Sequence, residues 1–163
     1  METLFAPWRY AYITSQKAPD TDCFFCAAGQ RPDGPDGLVV HVARHHLVML
    51  NLHPYASGHL MVAPLDHVSS PHESSEEAQR EFWPLVLRCQ RVLAAACSPH
   101  GFNLGMNLGR AAGAGVPGHF HFHLVPRWDG DTNFMTVLAE TRLIPEDLRQ
   151  TRDRLKALFA QED

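Results

Sequence analysis

Three histidines at strict two-residue spacing, His119, His121 and His123, interleave with Phe120, Phe122 and Leu124 in the run from Gly118 to Pro126. In an extended chain successive side chains point to opposite faces, so the imidazoles share one face and the apolar side chains the other. Residues two apart on a strand lie roughly 7 Å from one another, close enough for two rings to address one small substrate or ion. Imidazole near neutral pH serves as base, nucleophile or metal ligand. Residue types alone leave three readings open. The row is a sheet surface that carries histidines, or a three-histidine metal site with an open position for an activated water. In the third reading, one ring has one nitrogen held by a hydrogen bond and offers the other nitrogen's lone pair to an electrophilic phosphorus.

A second constellation is Cys23-Phe24-Phe25-Cys26, whose C-x-x-C spacing suits a redox pair, half a zinc site or chance; the apolar middle and a reduced setting favour metal. The composition excludes other classes of function. The chain has 163 residues, 11 histidines and a net charge of −4, and its basic residues are scattered, unlike the footprint of a duplex-binding surface. No apolar run approaches the roughly 18 residues of a membrane span. The start, Met1-Glu2-Thr3-Leu4, lacks a basic region followed by a long apolar one, which predicts an unexported, cytoplasmic protein.

The elements that must position these residues are legible as patterns within a single expected domain over residues 1–163. Residues 1–37, rich in proline and glycine around the cysteine pair, read as an irregular N-terminal arm. A core over 38–135 opens with apolar runs at Leu38–Val40, His46–Leu52 and His59–Ala63, consecutive strands joined by short turns. Ser74 stands three residues before Glu77, the spacing of a capping box, and apolar residues from Phe82 to Ala96 recur at three and four. A helix is expected from there to Ser98-Pro99, with Pro84 removing one hydrogen bond. Cys89 and Cys97 lie on its apolar stripe, where cysteine packs as a small hydrophobe. Phe102, Leu104, Met106 and Leu108 alternate with polar residues or glycine, predicting a strand with one buried face. Gly109 to Gly118 is a glycine-rich loop; the histidine strand follows and is expected to end at Pro126. The tail over 136–163 carries a helix with Pro145 in its first turn and Glu146 and Asp147 at its positive end.

The His-φ-His-φ-His-φ-φ run before proline, with Gly58-His59-Leu60-Met61-Val62-Ala63-Pro64 upstream, resembles the histidine-triad (HIT) superfamily. Nearly the whole chain shares the likeness, from Ala6-Pro7-Trp8-Arg9 to the C-terminal helix. The runs Pro99–Gly109 and Pro126–Phe134 look most similar to the Fhit-like and bacterial diadenosine tetraphosphate phosphorylase branch. The resemblance implies an α+β fold, a mostly antiparallel sheet carrying the triad with a long helix packed on it, and a homodimer. It implies an enzyme in which His121 attacks the α-phosphorus of a purine nucleotide or dinucleoside polyphosphate and carries the nucleotidyl group. His123 and His59 would contact phosphate oxygens and assist the leaving group, and Asn51 would bind ribose. Asn107 and the loop around Gly109 and Gly115 would donate to phosphate. Structural zinc is implied at Cys23, Cys26, His67 of Pro64-x-x-His67, and His119, with His72 as a competing ligand. Many hydrolytic members carry glutamine four residues before the first triad histidine, where this chain has Gly115. That departure points to inorganic phosphate, rather than water, as the acceptor, with Arg110 or Arg127 available to steady the anion. An asymmetric dinucleoside polyphosphate or phosphoramidate hydrolase, a metal-dependent hydrolase and a slow nucleotide-binding sensor are the competing functions.

Overall fold

The computed structural model describes residues 23–32, 34, 37–131 and 147–162. In chain order these form α1 (Phe24–Gln30), β1 (Val39–Val42), β2 (His46–Leu50), β3 (Leu60–Pro64), α2 (Glu76–Cys97), β4 (Gly101–Met106), β5 (Phe122–Arg127) and α3 (Leu148–Phe159), with single 3-10 turns at Pro71–Glu73 and Arg110–Ala112. The strands make one sheet in the order β1-β2-β3-β5-β4, every neighbouring pair antiparallel. This is the expected α+β architecture.

Every residue of β2 and β3 is buried. Apart from His46 at the start of β2, their sequences are apolar runs because both faces of the central sheet are covered, whereas a half-exposed strand would alternate. Partners across an antiparallel pair point the same way, and the registers Leu47↔Ala63, Met49↔Met61 and Met61↔His123 therefore define one face. The registers Val48↔Val62 and Val62↔Phe122 define the other. α2 covers the second face, where the Phe82 ring meets His46, Phe120 and Phe122 at 5.6, 6.4 and 5.4 Å. Glu81 of α2 accepts from the His45 backbone N–H and from His46 Nδ1, both at 2.9 Å, fixing the helix to the start of β2. α3 runs beside α2 along β1, its Phe159 stacked on His41 at 5.0 Å and under the Arg88 guanidinium. The first face is left for α1 and the histidines, with Gly29 of α1 against Leu47 and Leu65.

Several boundaries differ from the sequence reading. Cys23–Cys26 opens a short helix, not an irregular arm. The N-cap of α2 is Ser75, whose side chain accepts from the Ala78 N–H at 3.2 Å; three residues on from Ser75 stands alanine, so the reciprocal glutamate of a capping box is absent. α3 starts after Asp147, which caps it by accepting from the N–H groups of Arg149 and Gln150; Pro145 and Glu146 lie outside the described residues. Pro126 lies inside β5 instead of ending it. The β3 ladder stops at Leu60↔Leu124, so Pro126 needs strand bonds on the β4 side alone. The apolar alternation of β4 is only partly buried: Phe102 and Met106 pack against the core, whereas Leu104, and Leu108 beyond the strand, are 40% and 41% exposed.

Candidate functional site

The histidine row begins before its strand. His119 lies in a bend, its N–H donating to the Val116 carbonyl at 3.2 Å, His121 lies in irregular chain leading into β5, and His123 is the second residue of the strand. Phe120 and Phe122 point to α2, so the imidazoles point to the opposite face, as period two requires.

His59 arrives by the same parity. The Asn51 N–H donates to the His59 carbonyl at 2.9 Å, extending the β2–β3 ladder beyond its last regular pair and setting residues 51 and 59 opposite each other on the histidine face. The connecting turn contains Gly58 at φ +74°, a conformation suited to glycine, and a Cβ there would press on Leu93 Cδ2 at 3.2 Å. His59 Nδ1 accepts from the Tyr55 N–H at 3.1 Å, which leaves the proton of the neutral ring on Nε2. Nε2 then donates to His123 Nδ1 at 2.9 Å, and the proton of His123 is consequently on its Nε2. The Tyr55 ring packs on His59 and His123 at 4.6 and 6.0 Å. Burial and the neighbouring His121 push the His123 pKa down from 6.5 to about 4.

His121 is held from the other side. Its Nδ1 donates to the His119 carbonyl at 3.0 Å, so the neutral ring has its lone pair on Nε2. Its centroid lies 4.9 Å from that of His123 and 4.8 Å from the Phe25 ring.

His119 is fully buried and donates from Nε2 to the Pro64 carbonyl at 2.9 Å, so its lone pair is on Nδ1. Burial lowers its pKa, with the Pro64 bond opposing, which favours the neutral imidazole that a metal requires. That Nδ1 faces Cys23 Sγ at 3.3 Å and Cys26 Sγ at 3.6 Å, and His67 Nδ1 lies 3.4 Å from Cys26 Sγ. The four ligand atoms of Cys23, Cys26, His67 and His119 lie within 4.8 Å of one another. Around a tetrahedral ion with ordinary Zn–S and Zn–N bonds, sulfur and nitrogen ligands stand ~3.6 Å apart, so the donor set and its spacing fit a structural metal. Burial, then the adjacent Cys23 thiol, raise the Cys26 pKa to about 11, a cost that a divalent cation between the sulfurs would remove. His72 is not in this cluster; its Nδ1 pairs with the Ser70 hydroxyl at 2.8 Å on an exposed turn.

The remaining residues divide. Asn51 is beside His59, its Nδ2 3.5 Å from His59 Nδ1 and its Oδ1 accepting from the His53 N–H at 2.9 Å. Asn107 follows β4, and continuing the pairing Met106↔Phe122 by one step sets it level with His121. Gly109, at φ +77°, precedes the 3-10 turn Arg110–Ala112, which ends at Gly113, also at positive φ; Gly115 follows in the same loop. Arg127 binds Asp131 through two nitrogens and Asn103 through Nη1 at 2.7 Å, which commits it to the far end of β5. Sequence reasoning missed Tyr55, whose contribution through its backbone has no side-chain signal, and Phe25, marked only by the apolar middle of the cysteine pair.

An antiparallel sheet that sets a hydrogen-bonded histidine row beside a Cys₂His₂ cluster defines a histidine-triad protein. Residues 35–130 match the HIT domain, and the chain belongs to that family. It is 35% identical over 169 residues to the AP-4-A phosphorylase of Mycobacterium tuberculosis, covering 99% of this chain and 86% of that protein. To an adenosine 5′-monophosphoramidase of Schizosaccharomyces pombe it is 27% identical over 111 residues, 68% of this chain and 80% of that protein. Among solved structures, a Zn-bound histidine triad family protein from Mycobacterium smegmatis superposes with a TM-score of 0.69 at 28% identity, covering 87% of this chain and 96% of that one. Among the described residues no helix is long and apolar enough to cross a membrane.

The His123 shift sets a pH dependence. Its pKa is lower in the folded chain than the ordinary 6.5, so between pH 6.5 and about 4 the unfolded chain binds more protons and stability rises with pH. The contribution is fully present above pH 6.5 and is lost on acidification. NMR of the ring carbons should show His123 neutral at pH 6 and titrating near 4, with urea midpoints falling across that window; a ring that titrates at 6.5 contradicts the assignment.

Proposed function

We propose that the protein is a nucleotidyl-transferring enzyme that cleaves purine nucleotide polyphosphates such as diadenosine tetraphosphate through a covalent adduct on His121. The carrying observation is the complementary tautomer pair: His121 holds its lone pair on Nε2 because Nδ1 donates to the His119 carbonyl, and His123 holds its proton on Nε2 because His59 donates to its Nδ1. One ring is set to attack and its neighbour to donate. The Nε2 lone pair of His121 forms the N–P bond at the α-phosphorus, the P–O bond to the leaving polyphosphate breaks with its electron pair on oxygen, and His123 keeps its Nε2 proton while donating a hydrogen bond to that oxygen, which leaves as a phosphate oxyanion. His59, held by the Tyr55 N–H, is the positioning residue for His123, and both contact phosphate oxygens. Asn51 binds ribose; Asn107 and the backbone from Gly109 to Gly115 bind phosphate, since glycine permits close approach.

Inorganic phosphate is the acceptor that releases the adduct. Gly115, where hydrolytic relatives hold glutamine, and the 35% identity to an AP-4-A phosphorylase support this choice over water. Incubation with diadenosine tetraphosphate should yield ADP and ATP only when phosphate is present; AMP and ATP without phosphate would identify an asymmetric hydrolase instead. His121→Asn should lower turnover by on the order of 10⁴-fold or more in either case.

The ion in the Cys₂His₂ cluster is zinc, and its role is structural, joining α1 to the histidine row. Its thiols are free among the described cysteines, a state that suits the reducing cytoplasm. Protein purified with reductant should contain one zinc ion per chain by elemental analysis, with Cys26→Ser and His67→Ala losing most of it and His72→Ala keeping it. Full zinc content in Cys26→Ser would remove the cluster from consideration.

The working unit is a homodimer built on β4 and α2. Leu104 and Leu108 near the outer edge of β4 and Trp83 and Leu87 on α2 are exposed apolar residues, at 40%, 41%, 51% and 40%. An apolar sheet edge of this kind asks for a partner strand. Sedimentation should give the dimer mass for the wild type and the monomer mass for Leu104→Glu; a monomeric wild type would refute the assembly.

A further inference from the structure

Phe25 stands between the two cysteines, is 2% exposed, and lays its ring 4.8 Å from the His121 ring at an interplanar angle of 30°. It also meets His119 at 5.1 Å, and Phe24 braces it edge-on at 5.5 Å.

The chemistry of His121 gives the ring a task. When neutral imidazole attacks phosphorus through Nε2, the N–P bond forms from its lone pair while the Nδ1 proton stays in place against the His119 carbonyl. The P–O bond to the leaving group breaks with its electrons on oxygen, and the imidazole of the adduct is left with one positive charge. A cation within about 6 Å of an aromatic centroid is attracted by the negative face of the ring, most strongly where water is excluded. The charge is absent before attack and present after it, so the interaction strengthens toward the transition state and accelerates the step instead of only tightening binding.

We propose that Phe25 is a specific positioning and charge-stabilising residue of the nucleotidyl-transfer step, an aromatic platform for the cation that develops on His121. The proposal rests on the His121 adduct argued above. Because Cys23 and Cys26 bracket Phe25 on one helical turn, whatever seats the two thiols against His119 also seats the ring on His121.

The test replaces Phe25 site-specifically with mono-, di- and trifluorophenylalanine, which keep the shape of the ring while withdrawing charge from its face. Phe25→Leu and Phe25→Tyr are made beside them. Rapid-quench measurement of adduct formation from labelled diadenosine tetraphosphate is the readout, with metal content and substrate Kd measured in parallel. The logarithm of the adduct rate should fall linearly with each fluorine, reaching roughly tenfold by the third, about 1.4 kcal/mol. Phe25→Leu should match that loss, Phe25→Tyr should stay near wild type, and metal content and Kd should not change across the fluorinated series. A flat fluorine series with normal metal content overturns the platform, whatever Phe25→Leu does to folding. A wild type that forms no nucleotidyl adduct overturns the His121 reading beneath it, and the two failures are distinct.

Discussion

The backbone and ring of His119 hold the two halves of this site together. The ring is fixed by one bond to the Pro64 carbonyl, which turns Nδ1 to the cysteines, while its own carbonyl takes the Nδ1 proton of His121. A change in the path of this one residue would rotate the lone pair of His121 and break up the thiol–imidazole cluster together. The residue is accordingly without exposure, and its neighbour Phe120 is anchored twice, by the Phe82 ring on the far face and by its N–H to the Val68 carbonyl. Cost explains why both contacts are needed. Ordering a residue in a single backbone well costs about 1–2 kcal/mol, and the irregular lead into β5 lacks the ladder that would otherwise supply it.

The two-sided sheet makes that anchoring possible. α2 and α3 press on one face, while the other carries α1, the apolar residues Leu47, Met49 and Met61, and the histidines, so parity decides which strand residues can reach the site. His59, Met61 and His123 share a face because the registers β2–β3 and β3–β5 both bring like parity together. The chain of donors from Tyr55 N–H through His59 to His123 then forms without any side chain reaching further than a cross-strand neighbour. A slip of one residue in β3 would send His59 into the α2 face and replace it with an apolar ring of contacts, which is why the register needs the continuous apolar sequence of β3 to hold it.

Side-chain patterns were the legible part of this site. Alternation named the face of His119, His121 and His123, and the cysteine spacing named a pair suited to a metal, because both signals lie in residue identity and interval. Sequence alone leaves His72 as a competitor to His67 in that cluster, since both follow Pro64 closely and only the fold brings one Nδ1 to Cys26 while turning the other to Ser70. The groups that assign protons were illegible for a different reason. The Tyr55 N–H and the Pro64 and His119 carbonyls belong to every peptide bond, so no residue type announces them. The start of α2 differs by one residue for a related reason: Ser74 and Ser75 both qualify as caps, and the choice depends on which hydroxyl the turn Pro71–Glu73 leaves facing the first N–H groups.

The same distinction explains β4. Alternation in Phe102, Leu104 and Met106 correctly marks an apolar face, but periodicity carries no information about what covers it. Among the described residues Leu104 remains exposed, as do Trp83 and Leu87 of α2. An apolar stripe therefore defines an unmet demand, not a core position, and the demand here lies on the strand adjacent to β5. Cover on that edge would shield the far side of the strand that carries His123, paired with Gly105, and would stiffen the ladder from Gly101↔Arg127 to Met106↔Phe122. The bonds of Arg127 to Asp131 and Asn103 already hold the outer end of that ladder. Rigidity at the histidine end is then set by the inner pairs, where Met106 faces Phe122 and the chain turns into the glycine loop. In the proposed function the glycine loop brings its N–H groups to an anion, and the strand that leads into it, β4, is paired with β5 along its whole length.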